Sequence, residues 1–281
     1  MTTNMPLITL NNGVSIPQLG FGTFQIAPET TRAATLAALE VGYRHIDTAQ
    51  MYRNERQVGQ AVRESGLDRS EVFVTSKLSN ASHGHAATLE AFERTLDTLD
   101  LGYVDLFLIH WPMPRHDDYV DTWQTMAQLY ESGRVRSVGV SNFQVDQLRR
   151  LLESSSLVPA VNQIEVHPFL TQEPLRAFNS AHGIATEAWS PIARGKILAD
   201  STIRAIARDH ARTTAQVTLR WHLQRGDIIF PKSVNPRRMH ENFEIFDFRL
   251  TEDEMTSISR LDRGERTGPH PDEYHAVPQA A

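Results

Sequence analysis

Along this chain, amphipathic stretches that close at or beside a glycine repeatedly give way to short apolar runs. The alternation recurs in EVGYRHID, SGLDRSEVFVTSK, LGYVDLFLIH, SGRVRSVGVSN, HGIATEAWS and RGDIIFPKS. Each reads as a helix stopped by a left-handed glycine and followed by a buried strand. The helical period is clearest at Leu89, Phe92, Leu96 and Leu99, which share one face, and at Tyr119, Trp123, Met126 and Tyr130. QLGFGTF near the start and PAVNQIEVHP in the middle bring the strands to eight. Strands separated by helix-length segments predict a parallel sheet with right-handed crossovers, and eight of them predict an α/β fold of the (β/α)8 TIM barrel type. Before the first strand, LITLNNGVSIPQL predicts an N-terminal β-hairpin over about residues 7–17, turning at Asn12-Gly13 and closing the bottom of the barrel. The whole chain, 1–281, is then one domain, with a C-terminal loop over about 263–281 crossing the mouth. An open doubly wound sheet would need a G-x-G-x-x-G turn; GFGTFQ lacks the third glycine and no helix follows at once.

Composition narrows the function classes. Hydrophobic residues make up 40% and charged residues 22%, the balance of a globular protein that buries a sizeable core. Net charge is −6 with no long run of one sign, which argues against nucleic acid as a partner. Without cysteine there is no disulfide, thiolate nucleophile or thiolate metal site, which fits a reducing compartment. MTTNMPLITL lacks the basic and apolar regions of a signal peptide, and no run approaches the roughly 18 apolar residues of a membrane span. The expectation is a cytoplasmic protein with no membrane partner. HGH at His83–His85 reads as a solvent-exposed loop, and HENFE lacks the second histidine of a zinc helix, so no metal is expected.

In such barrels the chemistry gathers at the C-terminal ends of the strands. Those ends carry, in order, Asp47, Lys77, His110, Ser141 with Asn142, Gln163, Trp189 with Ser190, and Lys232 with Ser233. The barrel brings them all to one mouth. Tyr52 lies five residues past Asp47. A phenol of ordinary pKa about 10 is a feeble acid near neutrality. A lysine cation beside it favours the phenolate and lowers that pKa, by about 1–3 units for a close pair. Asp47 would hold Lys77 in place and keep it charged, and His110 could hydrogen-bond a carbonyl oxygen. Together the four make an acid for an alkoxide-like oxygen.

GYRHIDTAQMYRNE, TSKL, LIHWP, GVSNF, VNQIEVHP, WSPI and FPKSVNPRRMHENFEIFDF resemble the aldo-keto reductase family, over about residues 7 to 262. VPAVNQIE, RWHLQ and HPDE are most similar to its bacterial diketogluconate reductase branch. The resemblance implies a barrel that binds NADPH without a Rossmann fold and reduces carbonyls, usually as a monomer. It implies Tyr52 as proton donor, Lys77 and Asp47 as its tuning pair, and His110 as the group that orients the carbonyl.

The last strand end adds an anion site. Asn235 and Pro236 read as the N-cap and first residue of a helix flanked by Lys232, Ser233, Arg237 and Arg238. The resemblance places the 2′-phosphate of NADPH on Lys232, Ser233 and Arg238, with Glu241 and Asn242 near the adenine and Phe230, Val234 and Met239 along the cleft. It further implies Ser141, Asn142 and Gln163 at the nicotinamide carboxamide and Trp189 stacked on the ring, where many relatives carry tyrosine. Ser190, Pro191 and Ile192 follow the pyrophosphate, and Gly22 and Thr23 join the cofactor set. The short ARGKIL loop implies a less enclosing belt over the cofactor. Phe24 and Trp111 should wall the substrate pocket, with Tyr274 and His275 of the tail as further contacts. Ser79 stands where many relatives have tryptophan, opening the pocket to larger or more polar substrates. The expected activity is NADPH-dependent reduction of aldehydes or ketones, among them small dicarbonyls, keto-sugar acids and aromatic aldehydes. A non-catalytic, NADPH-sensing regulatory barrel is the alternative; a metal-dependent hydrolase would need clustered ligands that the strand ends do not offer.

Overall fold

The computed structural model describes residues 5–277. Two short strands, β1 (Leu7–Thr9) and β2 (Ser15–Pro17), pair antiparallel. The barrel strands follow: β3 (Phe21–Gly22), β4 (His45–Asp47), β5 (Phe73–Leu78), β6 (Val104–Ile109), β7 (Val135–Ser141), β8 (Val161–Glu165), β9 (Ala185–Trp189) and β10 (Ile228–Ile229). All eight run parallel in chain order. The ring closes at Leu19 and Ile229, where the Gly20 N–H donates to the Ile229 carbonyl at 2.6 Å and the Ile229 N–H to Gln18 at 2.9 Å. Ordered pairing and closure make this the predicted (β/α)8 barrel.

Crossover helices form the outer layer: α1 (Pro28–Val41), α2 (Glu55–Glu64), α3 (His85–Leu99), α4 (Tyr119–Glu131), α5 (Val145–Ser154) and α6 (Glu173–Ala181). α7 (Ser201–Asp209) and α8 (Thr214–Gln224) link β9 to β10, and α9 (Pro236–Phe243) and α10 (Glu252–Ser259) follow. The predicted punctuation operates locally. α1 opens on Pro28 and stops at Gly42, whose φ of +122° an L side chain rarely adopts. The period assigned to α3 is displaced by about one position. Its most buried residues are Thr88, Ala91, Phe92, Thr95 and Leu99, while Leu89 and Leu96 lie at the margin. Small residues face the sheet there because α2 also packs close.

The hairpin caps the bottom as expected. Asn11 Nδ2 donates to the Pro159 carbonyl and Asn12 Nδ2 to the Arg136 carbonyl, each at 3.0 Å, tying the turn to β7 and β8 at their N-terminal ends. Leu10 and Ile16 join Phe73, Leu106, Val161 and Ile228 in an apolar plug. With the bottom sealed, the polar cavity of the barrel opens at the top.

One close approach constrains the layer of helices. A Cβ on Gly59 of α2 would stand 1.8 Å from the Leu99 carbonyl oxygen, which already accepts from Arg63 at 2.7 Å. Gly59→Ala should therefore force α2 and α3 apart and destabilise the fold by at least about 1–3 kcal/mol, seen as a lower urea midpoint without a change in slope.

Candidate active site

The residues of the expected acid meet above β4 and β5. Lys77 and Asp47 are both fully shielded from solvent, an arrangement tolerable only because each satisfies the other. Lys77 Nζ lies 2.7 and 2.8 Å from the two Asp47 carboxylate oxygens and 2.9 Å from the Thr48 carbonyl. These three partners match the three hydrogens of an ammonium. Tyr52 Oη is a fourth neighbour at 3.5 Å, and the ammonium also lies 5.0 Å from the ring centroid. Burial alone would lower the Lys77 pKa, but Asp47 and Tyr52 carry it above its ordinary value.

The phenol departs from the sequence expectation. Burial pushes Tyr52 up to about 12, and the Lys77 cation only partly opposes this, with Asp47 adding to the rise. Asp47 and Thr48 are the nearer partners of the ammonium and burial outweighs its pull on the phenol, so Tyr52 keeps its proton. That is the state required of a donor; the cation matters once the proton has left. His110 is held neutral, its pKa well below the usual histidine range through burial and the nearby Lys77 charge. Its ring stands edge-on to Tyr52 at 5.7 Å between centroids, and its buried Nδ1 has no partner, leaving Nε2 on the cavity side.

Asp47, Tyr52 and His110 floor a cavity of about 590 Å³ whose wall includes Gly22, Ser141, Asn142, Gln163 and Trp189. Ser141 donates to the Gln163 carbonyl at 2.9 Å, and Asn142 Nδ2 to the His110 carbonyl at 2.9 Å. Trp189 Nε1 donates to Asn142 Oδ1 at 2.8 Å, which locks the indole. Asn142 and Ser190 leave their strands with φ of +65° and +51°, a strained exit that turns both into the mouth. Ser190, Pro191 and Ile192 continue the wall, and Phe230, Lys232 and Arg238 border its far end. There Asn235 caps α9 by accepting from the Arg238 N–H at 3.3 Å, with Pro236 as the first helical residue. Phe24, Trp111 and Tyr274 complete the mouth; the Trp111 and Tyr274 rings lie 4.3 Å apart, tilted by 44°.

Several expected contacts lie elsewhere. Thr23 is buried behind Asp47, donating to its carbonyl at 3.0 Å, and Met239 packs in the core. Ser233 bonds Asn235 backbone groups, Val234 is exposed, Asn242 is buried, and Glu241 pairs with Arg237 at 2.8 Å. None of these lines the cavity. Nor does Ser79, which caps the turn at Asn80–Ser82 and donates its N–H to Gln50 at 2.7 Å. His275 packs toward His116, at 6.3 Å between rings, rather than into the mouth. The HGH segment is exposed at His85, which opens α3 and meets Thr125 at 3.0 Å, but the His83 side chain is buried against Asp118 at 2.8 Å. Met51, Leu198 and Pro269 line the mouth unannounced by any local sequence signal, and Glu187, inside β9, lies beneath it.

The C-terminal segment is tied to the rim. Thr267 donates its N–H at 2.6 Å and its hydroxyl at 2.5 Å to buried Glu165. Gly268 presses so close to Trp189 that a Cβ would stand 2.5 Å from the indole.

The closed eight-stranded barrel carries Lys77, Asp47, Tyr52 and His110 at its C-terminal mouth, and the chain belongs to the aldo/keto reductase family, whose model matches residues 18–263. With that family comes the oxidoreductase class. The chain is 52% identical over 270 residues to an aldo-keto reductase of Mycobacterium sp. strain KMS, covering 96% of this chain and 98% of the relative. It is 46% identical to methylglyoxal reductase DkgA of Yersinia pestis, covering 97% and 98%. Among solved structures, a mutant of Gox0644 in complex with NADPH matches with a TM-score of 0.93 and 42% identity, covering 96% of this chain and 98% of that one.

Removing the cation would strand a buried carboxylate. Lys77→Met should cost roughly 3–5 kcal/mol of stability near neutral pH, and the loss should shrink in acid, where Asp47 can take a proton. Thermal melts across pH measure both.

Proposed function

We propose that this protein is an NADPH-dependent reductase of small aldehydes and ketones in which Tyr52 is the proton donor. The single observation that carries the reading is the buried Lys77–Asp47 pair with the Tyr52 hydroxyl at 3.5 Å, opening on one cavity with neutral His110.

The chain's own residues fit the cofactor. Lys232 and Arg238, at the capped start of α9, offer two cations to a phosphate. The locked Trp189 indole offers a flat surface, and Ser141, Asn142 and Gln163 offer polar atoms for a carboxamide. Bound NADPH supplies the hydride. Tyr52 gives its proton to the carbonyl oxygen as negative charge develops there, and Lys77 stabilises the phenolate left behind. His110 Nε2, uncharged, orients that oxygen by a hydrogen bond without competing as an acid. Asp47 keeps the Lys77 cation in register through the cycle.

The substrate end of the cavity is walled by Phe24, Met51, Trp111, Leu198 and Tyr274. This lining suits a compact carbonyl compound with an apolar or uncharged body, such as a small dicarbonyl or an aromatic aldehyde. The similarity to methylglyoxal reductase DkgA supports the dicarbonyl choice. The intact acid favours an enzyme over a nucleotide-sensing barrel without catalysis.

Tyr52→Phe should leave NADPH binding unchanged by fluorescence titration while NADPH oxidation with methylglyoxal falls about 10²–10⁴-fold; undiminished turnover would refute the role. Arg238→Ala should weaken NADPH binding about tenfold or more, the value of a charge-assisted contact, and leave NADH binding unaltered.

A further inference from the structure

A second carboxyl group lies under the acid, and the mechanism above makes no use of it. Glu187 sits mid-strand in β9 with no solvent exposure, and its Cα partner on β8 is Gln163. Gln163 Nε2 donates to Glu187 Oε2 at 2.7 Å and to Asp47 Oδ2 at 2.9 Å. An amide nitrogen has two hydrogens. Both are taken by carboxyl oxygens, so the amide oxygen is the polar atom Gln163 has left to turn toward the cavity it lines.

We propose that Glu187 is a positioning residue: by accepting one N–H of Gln163, it fixes the amide so that the second N–H holds Asp47 and the oxygen faces the mouth as a hydrogen-bond acceptor. The group accepted there would be the N–H of the cofactor's carboxamide, so the inference rests on the functional reading above and deepens it. Without Glu187, the Gln163 amide is free to rotate. It can then present either end to the cavity, and Asp47 loses a constraint on the carboxylate that holds Lys77.

The surroundings of Glu187 favour a neutral carboxyl. Asp47 faces it from β4 and Lys77 from β5, while β8 contributes uncharged Gln163 and β10 apolar Ile228. One cation thus serves two carboxyls. Burial, reinforced by the Asp47 charge, pushes Glu187 up to about 8, against the opposing pull of Gln163 and Lys77. Its Oε1 is buried without a partner and is the atom free to carry the proton, leaving Oε2 to accept from Gln163. As pH rises through about 8, that proton leaves and a second negative charge appears beside Asp47. The added charge makes Tyr52 a weaker acid, repels the Asp47 carboxylate and draws the shared amide toward Glu187, away from the position it holds at lower pH.

Quenching of intrinsic fluorescence during NADPH titration tests this on the full chain, with no turnover needed. Glu187→Leu should raise the NADPH Kd about tenfold, the worth of one well-placed hydrogen bond. Glu187→Gln keeps an acceptor oxygen and should restore the wild-type Kd below pH 8. In the wild type the Kd should rise as pH passes about 8, and Glu187→Gln should abolish that rise. A packing role alone would not move the pH profile. Should Glu187→Leu fail to fold, the comparison of wild type with Glu187→Gln still decides. A wild type that binds NADPH without an inflection near pH 8, or a folded Glu187→Leu with the wild-type Kd, would overturn the positioning role alone. A wild type that binds no NADPH would overturn both readings.

Discussion

A lysine ammonium enclosed in the mouth of a barrel needs an anion, and the rest of this site follows from how that need is met. Asp47 supplies the charge through both oxygens, and Thr48 supplies a carbonyl for the third hydrogen. The pair can exist only while β4 and β5 stay in register and water stays out. In return it sets the local electrostatics: Tyr52 is close enough to be stabilised as a phenolate, and His110 is discouraged from taking a charge. Burial and the cation pull Tyr52 in opposite directions. Burial wins at rest, so the proton is present when it is needed.

The same economy extends sideways through Gln163, which links Asp47 to Glu187 and thus joins β4, β8 and β9 across the interior. It extends upward through Glu165, which binds the Thr267 segment and brings Gly268 against Trp189. Buried carboxyl groups in three strands therefore serve three tasks: to hold a cation, to orient an amide, and to anchor the tail that walls the mouth. Each is satisfied by a different partner, and the partner decides its protonation. Glu165, with donors around it, is held below the usual carboxylate range despite burial; Glu187, with a single donor and a like charge nearby, is held above it.

The strand ends were legible because a polar residue closing an apolar run is a local pattern, and a barrel collects such ends. Asn235 and Pro236 were legible as a helix start for the same reason. Ser79, Met239 and Thr23 do not line the cavity, because a residue near a strand end or helix start can turn either way and only packing chooses. His83 looked exposed because its partner, Asp118, lies 35 positions away. Glu187 gave no signal: alternation in ATEAW marks a strand but does not say which face meets Gln163.

By itself, the order of apolar runs, glycine stops and helix starts determined that eight strands alternate with helices and that Asp47, Lys77 and His110 stand at their ends. Those are local properties, set by backbone conformation and burial within a few residues. Only the closed barrel decided that Lys77 lies nearer to Asp47 and Thr48 than to Tyr52, that one amide serves two carboxyls, and that a tail glycine presses on Trp189. Such facts depend on distances between residues far apart in the chain, and no local spacing encodes them.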